Sequence, residues 1–349
     1  MLRPELRLIH LQLTLNCNLR CAFCGQWGKY GYMKKAGLSE LSTEDWLKVI
    51  DQASDYRAAT GIAPEFILWG GEPLVSPAFV PVAERLRQYG FTTALVTNGV
   101  LLKDFAAVIN RTVDTVYVSL DGPPEIHENI RGRAGIFEQI MAGVELLDKS
   151  RLSLVNLFTL CEQNYHIAAE FPFMLGKAGF KKMLIQNLIH TSPRRATAYR
   201  QWLAGSFQQE ASNLDSWVND HFGDWINALP EVIRTIQSRS AAGEYPLAVE
   251  LYPGELNADN LTGWFDPEIE LKQNPAPCAM PYRHLHINPD GESHFCVDFN
   301  DFSLGNIRNG LRELFFGEKA ARFRAEYGTC NKLCARCPWY YNRSLTIDK

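Results

Sequence analysis

Cysteine is the residue in this chain best suited to chemistry, and most of it is bunched. "CNLRCAFC" sets Cys17, Cys21 and Cys24 apart by three and then two residues, and "CNKLCARC" repeats that comb at Cys330, Cys334 and Cys337. Cys278 and Cys296 precede the second comb, and of the nine cysteines Cys161 stands alone. An odd number of thiols in a chain of 349 residues is no disulfide framework. Bunched thiols point instead to metal or redox chemistry. Tetrahedral zinc or a cubane iron–sulfur cluster as a rule takes four protein ligands. The first comb offers three, so a group bound there keeps an open position, which suits chemistry better than stapling. A zinc knuckle would need a nearby histidine, and the only early one, His10, falls inside an apolar run.

The remaining polar motifs share one kind of position. Short apolar runs that read as strands cover 8–15, 65–69, 92–97, 113–120, 152–160 and 182–189, and each is continuous enough to be covered on both faces. Helical patterns lie between them, including "STEDWLKVIDQAS", where Ser42 or Thr43 would cap, and "FEQIMAGVELLDKS". Six βα units make a parallel α/β sheet, either a partial barrel or an open doubly wound layout. In such sheets ligands bind beyond the carboxyl ends of the strands. The first comb, Gly70-Gly71-Glu72-Pro73, Thr97-Asn98-Gly99 and Ser119-Leu120-Asp121-Gly122 follow strands one to four in order. Cys161 ends strand five, and Gln186, Asn187 and His190 end strand six. Glycine and asparagine are also plain turn residues, but so many polar motifs on one edge argue for a single site.

The rest of the chain narrows the class. Composition is ordinary for a globular protein, with 46% hydrophobic and 21% charged residues and a net charge of −4. No basic run points to nucleic acid. No apolar stretch approaches the roughly 18 residues of a membrane span, and the N-terminal segment has no signal-peptide pattern, so a cytoplasmic location is expected. Residues 193–275 are first aromatic-rich and helical in period, then loop-like, and read as an insertion or bridge. From Cys278 on, "HLHINPDGESHFCV" reads as a β-hairpin turning at Asp290–Gly291.

C-x3-C-x2-C directly after the first strand, then G-G-E-P after the second, closely resembles the radical S-adenosylmethionine (SAM) enzymes. The resemblance covers roughly residues 8–190. It implies a partial (β/α)6 barrel over residues 1–192 and a [4Fe–4S] cluster on Cys17, Cys21 and Cys24, with SAM chelating the open iron. It also implies reductive cleavage of SAM to a 5′-deoxyadenosyl radical that abstracts a substrate hydrogen atom, fed by an electron donor such as flavodoxin or ferredoxin. Gly70 and Gly71 would let the backbone approach the methionine amino group, and Glu72 would accept from it. Ser119 and Asp121 match where the family commonly holds the SAM ribose or carboxylate. Thr97 and Asn98 are weaker candidates of the same kind. Phe23 stands where an aromatic lies beside the adenine, and Arg131 could pair a carboxylate of SAM or substrate.

The second comb is not a second SAM site, since only 12 residues follow Cys337 and no strand with G-G-E-P comes after it. C-x17-C at Cys278 and Cys296 resembles instead the opening of the cysteine-rich extension called SPASM. Five cysteines rather than seven point to its shortened form, Twitch, with one auxiliary [4Fe–4S] cluster in a small α+β domain over 276–349. Resemblance to the auxiliary site of 2-deoxy-scyllo-inosamine dehydrogenase selects Cys278, Cys296, Cys334 and Cys337, with Cys330 spare or replacing one of the last pair; a zinc ribbon is the plain alternative. Such a cluster would take an electron from the substrate radical, giving a net oxidation that needs a base. His190, His127, Asp121 and the group His284, His286 and His294 are candidates, and Cys161 is a candidate hydrogen-atom donor. The expected substrate is a small polar molecule such as a carbohydrate or aminocyclitol, because the chain starts at strand one without an N-terminal peptide-recognition domain. Peptide crosslinking or epimerisation stays open, as does a non-catalytic iron–sulfur carrier or scaffold.

Overall fold

The computed structural model describes residues 2–27, 31, 39–254, 256–266, 278–327 and 336. Six parallel strands carry the first half: β1 (Leu8–Gln12), β2 (Glu65–Trp69), β3 (Thr93–Thr97), β4 (Thr115–Ser119), β5 (Ser153–Leu160) and β6 (Lys182–Asn187). Each matches an expected run to within a few residues at either end. All five residues of β1 are buried, as expected for a strand covered on both faces. The connecting helices are α1 (Thr43–Thr60), α2 (Phe79–Gln88), α3 (Leu102–Thr112), α4 (Pro124–Arg131), α5 (Ile136–Glu145) and α6 (Phe171–Lys177). Ser42 caps α1 in a reciprocal box with Asp45, which fixes where the chain turns from the loop of the first comb into the helix layer.

The second half departs from expectation in two places. The bridge begins as helical, with α7 (Pro193–Phe207) and α8 (Leu229–Ala241), but "AVELY" then forms β7 (Ala248–Tyr252), parallel to β6. This strand is a half-exposed edge, so it lacks the continuous apolar run that marked the others. A short helix, α9 (Leu261–Phe265), interrupts what had read as loop, and its Trp264 is fully buried. After α10 (Met280–Arg283), the expected hairpin appears as β8 (His284–Ile287) and β9 (Glu292–His294), followed by β10 (Gly305–Asn306). The hairpin does not stand apart. β8 runs parallel to β1, with Leu8 opposite His284 and His10 opposite His286. One ten-stranded sheet therefore runs β10-β9-β8-β1-β2-β3-β4-β5-β6-β7 across the described residues. The chain closes with α11 (Leu311–Phe316) and α12 (Glu318–Tyr327), pinned by Arg324, which donates to the carbonyls of Pro281 and Phe315 at 2.6 and 2.7 Å.

The joint between β1 and β8 is polar. His10 and His284 share a hydrogen bond of 2.7 Å, His284 reaches the carbonyl of Phe295 at 2.8 Å, and His286, Asn288 and His294 form a second chain ending on the carbonyl of Phe302. All four histidines are buried. Burial holds His284 down at about 4 and His10 and His286 well below the ordinary value. Their rings link β1, β8 and β9 within the packing of the sheet, away from the carboxyl-end motifs of β2 to β4.

Candidate active site

The polar motifs do converge on one edge of the sheet. A cavity of about 140 Å³ is lined by Cys17, Cys21, Phe23, Cys24, Gly70, Gly71, Glu72, Thr97, Asn98, Ser119 and Arg131, together with Gln26, Trp27 and Trp69. Strand order explains the gathering. β1 to β4 are neighbours in register, so their carboxyl ends and the turns after them stand side by side.

The G-G-E-P turn is built for the protein's own backbone. The main chain ties β1 to β2 beyond the strand ends: Gly71 N–H donates to Thr14 O at 2.9 Å and Glu72 N–H to Asn16 O at 2.8 Å. A Cβ at Gly70 would lie 2.7 Å from Thr14 O, and one at Gly71 would overlap the carbonyls of Leu15 and Asn16. These glycines are thus required where the turn lies against the chain leading into the comb, which the sequence reading had assigned to ligand approach. Glu72 is 1% exposed and accepts three bonds, from Thr97 Oγ1 (2.8 Å), Asn98 N (2.8 Å) and Leu74 N (3.2 Å). Burial nevertheless pushes its carboxyl up to about 7, against those donors. The carboxylate clips the end of β2 to the end of β3, and Pro73 opens the turn that follows.

Asp121 and Arg131 answer to each other. Arg131 Nε donates to Asp121 Oδ2 at 2.6 Å, and Asp121 Oδ1 accepts from Thr159 N at 2.9 Å. Asp121 is fully buried, and its carboxylate is held by the protein's own arginine and by the Thr159 amide. Arg131 is neither a surface residue nor an unclaimed cation. Its other arm reaches Cys21 Sγ at 3.6 Å, and its guanidinium lies over the ring of Phe23.

The sulfurs of the comb are provided with donors. Leu19 N lies 3.4 Å from Cys17 Sγ, Asn98 Nδ2 approaches the same sulfur at 3.9 Å, and the backbone amides of Gln26 and Trp27 turn toward Cys24. N–H donors of this kind stabilise thiolates. Burial first, then the charge of Glu72 and of the neighbouring cysteines, raises the free Cys17 thiol to about 11. Three crowded thiols with N–H donors around them, two of which (Cys17 and Cys24) burial makes poor free thiolates, fit ligands whose charge a cationic centre would neutralise. Among the described residues no three His, Cys, Asp or Glu side chains are placed to hold a single metal ion. A cubane makes no such demand, because each of its irons takes its own thiolate.

A second cavity, of about 310 Å³, adjoins the first and shares Phe23, Cys24 and Gln26 with it. Its far walls come from the ends of β5 and β6 (Thr159, Gln186, Asn187), from the bridge (Ser216, Trp217, Asn219, Phe222) and from Asp298, two residues beyond Cys296. The bridge residues and Asp298 carried no motif. Their only sequence signal was the aromatic density of a segment whose role could not be read.

Cys161 and His190 fall outside both linings. Cys161 is 4% exposed, and burial pushes its thiol up to about 12. His190 donates through Nε2 to Trp264 O at 2.9 Å, packs between Phe222 and Phe265, and is held down at about 4 by burial. His127 accepts the Asp121 amide at 3.2 Å in a buried setting that holds it at about 3. All three behave as packed residues. In the C-terminal region Cys278 is buried near Cys296, its thiol raised to about 12 chiefly by burial, and Cys296 Sγ accepts from Phe299 N at 3.4 Å. Cys330, Cys334 and Cys337 lie outside the described residues. Arg336, between the last two, is buried and donates to the carbonyls of Gly263, Trp264 and Asp266 around the end of α9.

Comparison with known proteins agrees with this geometry. The pattern of the Radical SAM superfamily matches residues 11–171, and that of SPASM, an iron–sulfur cluster-binding domain, matches residues 278–338. An AdoMet-dependent heme synthase of Methanosarcina barkeri is 36% identical over 41% of this chain, a match that spans only 40% of that enzyme. A probable GTP 3′,8-cyclase of Methanothermobacter thermautotrophicus is 32% identical over 94% of this chain and 97% of its own length. The structure of Streptococcus suis SuiB bound to precursor peptide SuiA superimposes with a TM-score of 0.66 at 14% identity, covering 97% of this chain and 71% of SuiB, a likeness of fold.

Proposed function

The chain belongs to the radical SAM superfamily and carries a SPASM iron–sulfur domain, and from that premise we propose that it is an oxidoreductase acting on a small polar substrate held between its two cysteine regions. The two domains imply a SAM-binding [4Fe–4S] cluster, auxiliary iron–sulfur binding and SAM as cofactors. When bound, these groups supply a 5′-deoxyadenosyl radical at the first comb and an electron acceptor at the C-terminal cysteines. Cys17, Cys21 and Cys24 are the proposed ligands of the first cluster. Cys278, Cys296, Cys334 and Cys337, with Cys330 as the spare, are those of a single auxiliary cluster of Twitch type.

The observation that carries the reading is the 310 Å³ cavity, one wall of which holds Phe23 and Cys24 and another Asp298, next to Cys296. A substrate there lies against the loop of the first comb and within the same enclosure as the loop of the second cysteine region. Phe23 and Arg131 lie together in the lining of the smaller cavity, the guanidinium 5.4 Å from the ring centroid, suited to hold an adenine and to neutralise negative charge beside Cys21. A flavodoxin or ferredoxin is the proposed electron donor. Peptide modification is the second reading, favoured by the likeness of fold to SuiB, whose structure is described with a bound precursor peptide.

Iron and sulfide counted after anaerobic reconstitution test both assignments. About eight irons per chain, falling to about four in the Cys17/Cys21/Cys24→Ala variant, are expected for one cluster at each site. About twelve would replace Twitch with a full two-cluster extension. Dithionite-reduced protein should form 5′-deoxyadenosine from SAM, Cys17→Ala should abolish this, and Cys334→Ala should spare it while blocking substrate turnover. Wild-type protein that never forms 5′-deoxyadenosine would make the chain an electron carrier or scaffold.

A further inference from the structure

The larger cavity has a chemical bias in its walls. Trp217 is its most constrained member. A Cβ at Gly25 would lie 2.5 to 2.8 Å from three carbons of the indole, so the ring is pressed onto the backbone of the comb loop. Trp217 Nε1 donates to Asp298 O at 2.7 Å, and its own carbonyl accepts from Thr191 N at 2.8 Å. The indole is therefore a fixed wall braced by three separate parts of the chain.

Around it the described lining is made of amides, hydroxyls and apolar groups. Gln26, Gln186, Asn187, Asn219, Thr159 and Ser216 supply the polar atoms and Asp298 the carboxyl group, while no lysine, arginine or histidine is among the described lining residues. The guanidinium of Arg131 lines the smaller cavity instead and is paired with Asp121. Asn187 is fully buried at the end of β6. Its Nδ2 donates to Tyr252 O at 3.4 Å, which orients the amide and leaves Oδ1 buried without a partner. A buried acceptor left unmade is costly, and a donor on a bound molecule would satisfy it.

We propose that this cavity selects a substrate group carrying N–H or O–H donors and no negative charge, seated on the indole of Trp217 with a donor to Asn187 Oδ1. Placing a phosphate or carboxylate here would strip its hydration with no cation among the described lining residues to replace it. An ammonium or hydroxyl group meets the reverse situation, with carbonyl and carboxyl oxygens around it and an aromatic face beneath. An amino acid side chain and an aminocyclitol share this chemistry, whereas a nucleoside triphosphate or a porphyrin carboxylate lacks it. The inference rests on the reading above that this cavity holds the substrate.

Calorimetric titration of reconstituted, SAM-loaded protein tests the proposal with four probes: Nα-acetyl-lysine methylamide, 2-deoxystreptamine, GTP and coproporphyrin III. One or both amine probes should bind, and Asn187→Ala and Trp217→Ala should each weaken that binding about tenfold, with Trp217→Phe retaining more of it than Trp217→Ala. The stronger of the two amines distinguishes a peptide side chain from an aminocyclitol. GTP and coproporphyrin III should bind only in Gln186→Lys, which sets a cation in the wall. Binding of either anion to wild-type protein that Trp217→Ala removes would overturn the proposal, as would the failure of both amines or indifference to both alanine variants. SAM affinity and 5′-deoxyadenosine formation in the same preparations report separately on the radical SAM reading, and melting curves show that each variant is folded.

Discussion

A methyl group at position 71 has no room, because the carbonyls of Leu15 and Asn16 occupy the space where its carbon would go. Gly71→Ala must push the G-G-E-P turn away from the segment that leads into Cys17. The expected result is selective: iron falls from about eight to about four per chain, with the C-terminal cluster kept. Loss of both clusters in the iron count would mean that the turn supports the whole fold. Glu72 makes a related case. Its carboxylate serves the Thr97 hydroxyl and two backbone amides in a buried turn. Glu72→Ala strands those donors and should cost about 3 kcal/mol in urea unfolding, before any effect on SAM binding is considered. At this scale the sequence names the residue types at the strand ends but not what each one faces. Residue type shows that a carboxylate or glycine stands at a strand end; only the neighbouring backbone shows whether it faces a ligand or the protein. Asp121 is the clearest instance, since its arginine partner lies ten residues on.

At the scale of elements, the joint of β1 with β8 and the packing of α4 and β6 bury neutral histidines. His10, His127, His190, His284 and His286 all sit below their ordinary value, chiefly because burial disfavours the charged ring. In the unfolded chain each would take up a proton near pH 6.5, while His190 and His284 in the fold wait until about pH 4 and His127 until about pH 3. The unfolded state therefore binds more protons across that window, and stability must fall as pH drops from about 6.5. Each histidine contributes a slope of up to about 1.4 kcal/mol per pH unit. Urea midpoints at pH 7.5 and pH 5.5 should differ clearly, with His127→Phe flattening the dependence. A flat profile in the wild type would mean that these rings are already charged in the fold. None of this was legible from spacing, because the His10–His284 link joins residues far apart in the chain.

For the whole molecule, the governing fact is that the C-terminal region completes the sheet. β8 is the neighbour of β1 on the side away from β2, so removing it would leave the first strand, all of whose residues are buried, with an open edge and would strip His10 of its partner His284. Truncation at residue 277 is expected to yield aggregated protein rather than an active core, measured as the soluble fraction and the 5′-deoxyadenosine formed. A soluble fragment that still cleaves SAM would show that the core closes without β8. The bridge has a matching part. Asn213 binds Asp301 and Asn300, and Trp217 binds Asp298, so the segment without a sequence motif is what connects the barrel edge to the second cysteine region.

What the sequence determined by itself was local and periodic. Continuous apolar runs specified six parallel strands, C-x3-C-x2-C and G-G-E-P placed a site at their carboxyl ends, and the order of those motifs carried the family. Such signals are contiguous in the chain because a strand must bury both faces and a metal-binding loop must bring its thiols together over a few residues. Tertiary structure alone decided the rest: that β7 and β8 extend the sheet at opposite sides, that Asp121 and Arg131 satisfy each other, and that Trp217, Asn187 and Asp298 enclose one cavity. Those contacts join segments from ten to hundreds of residues apart, and complementarity of shape and charge across such separations leaves no spacing to read.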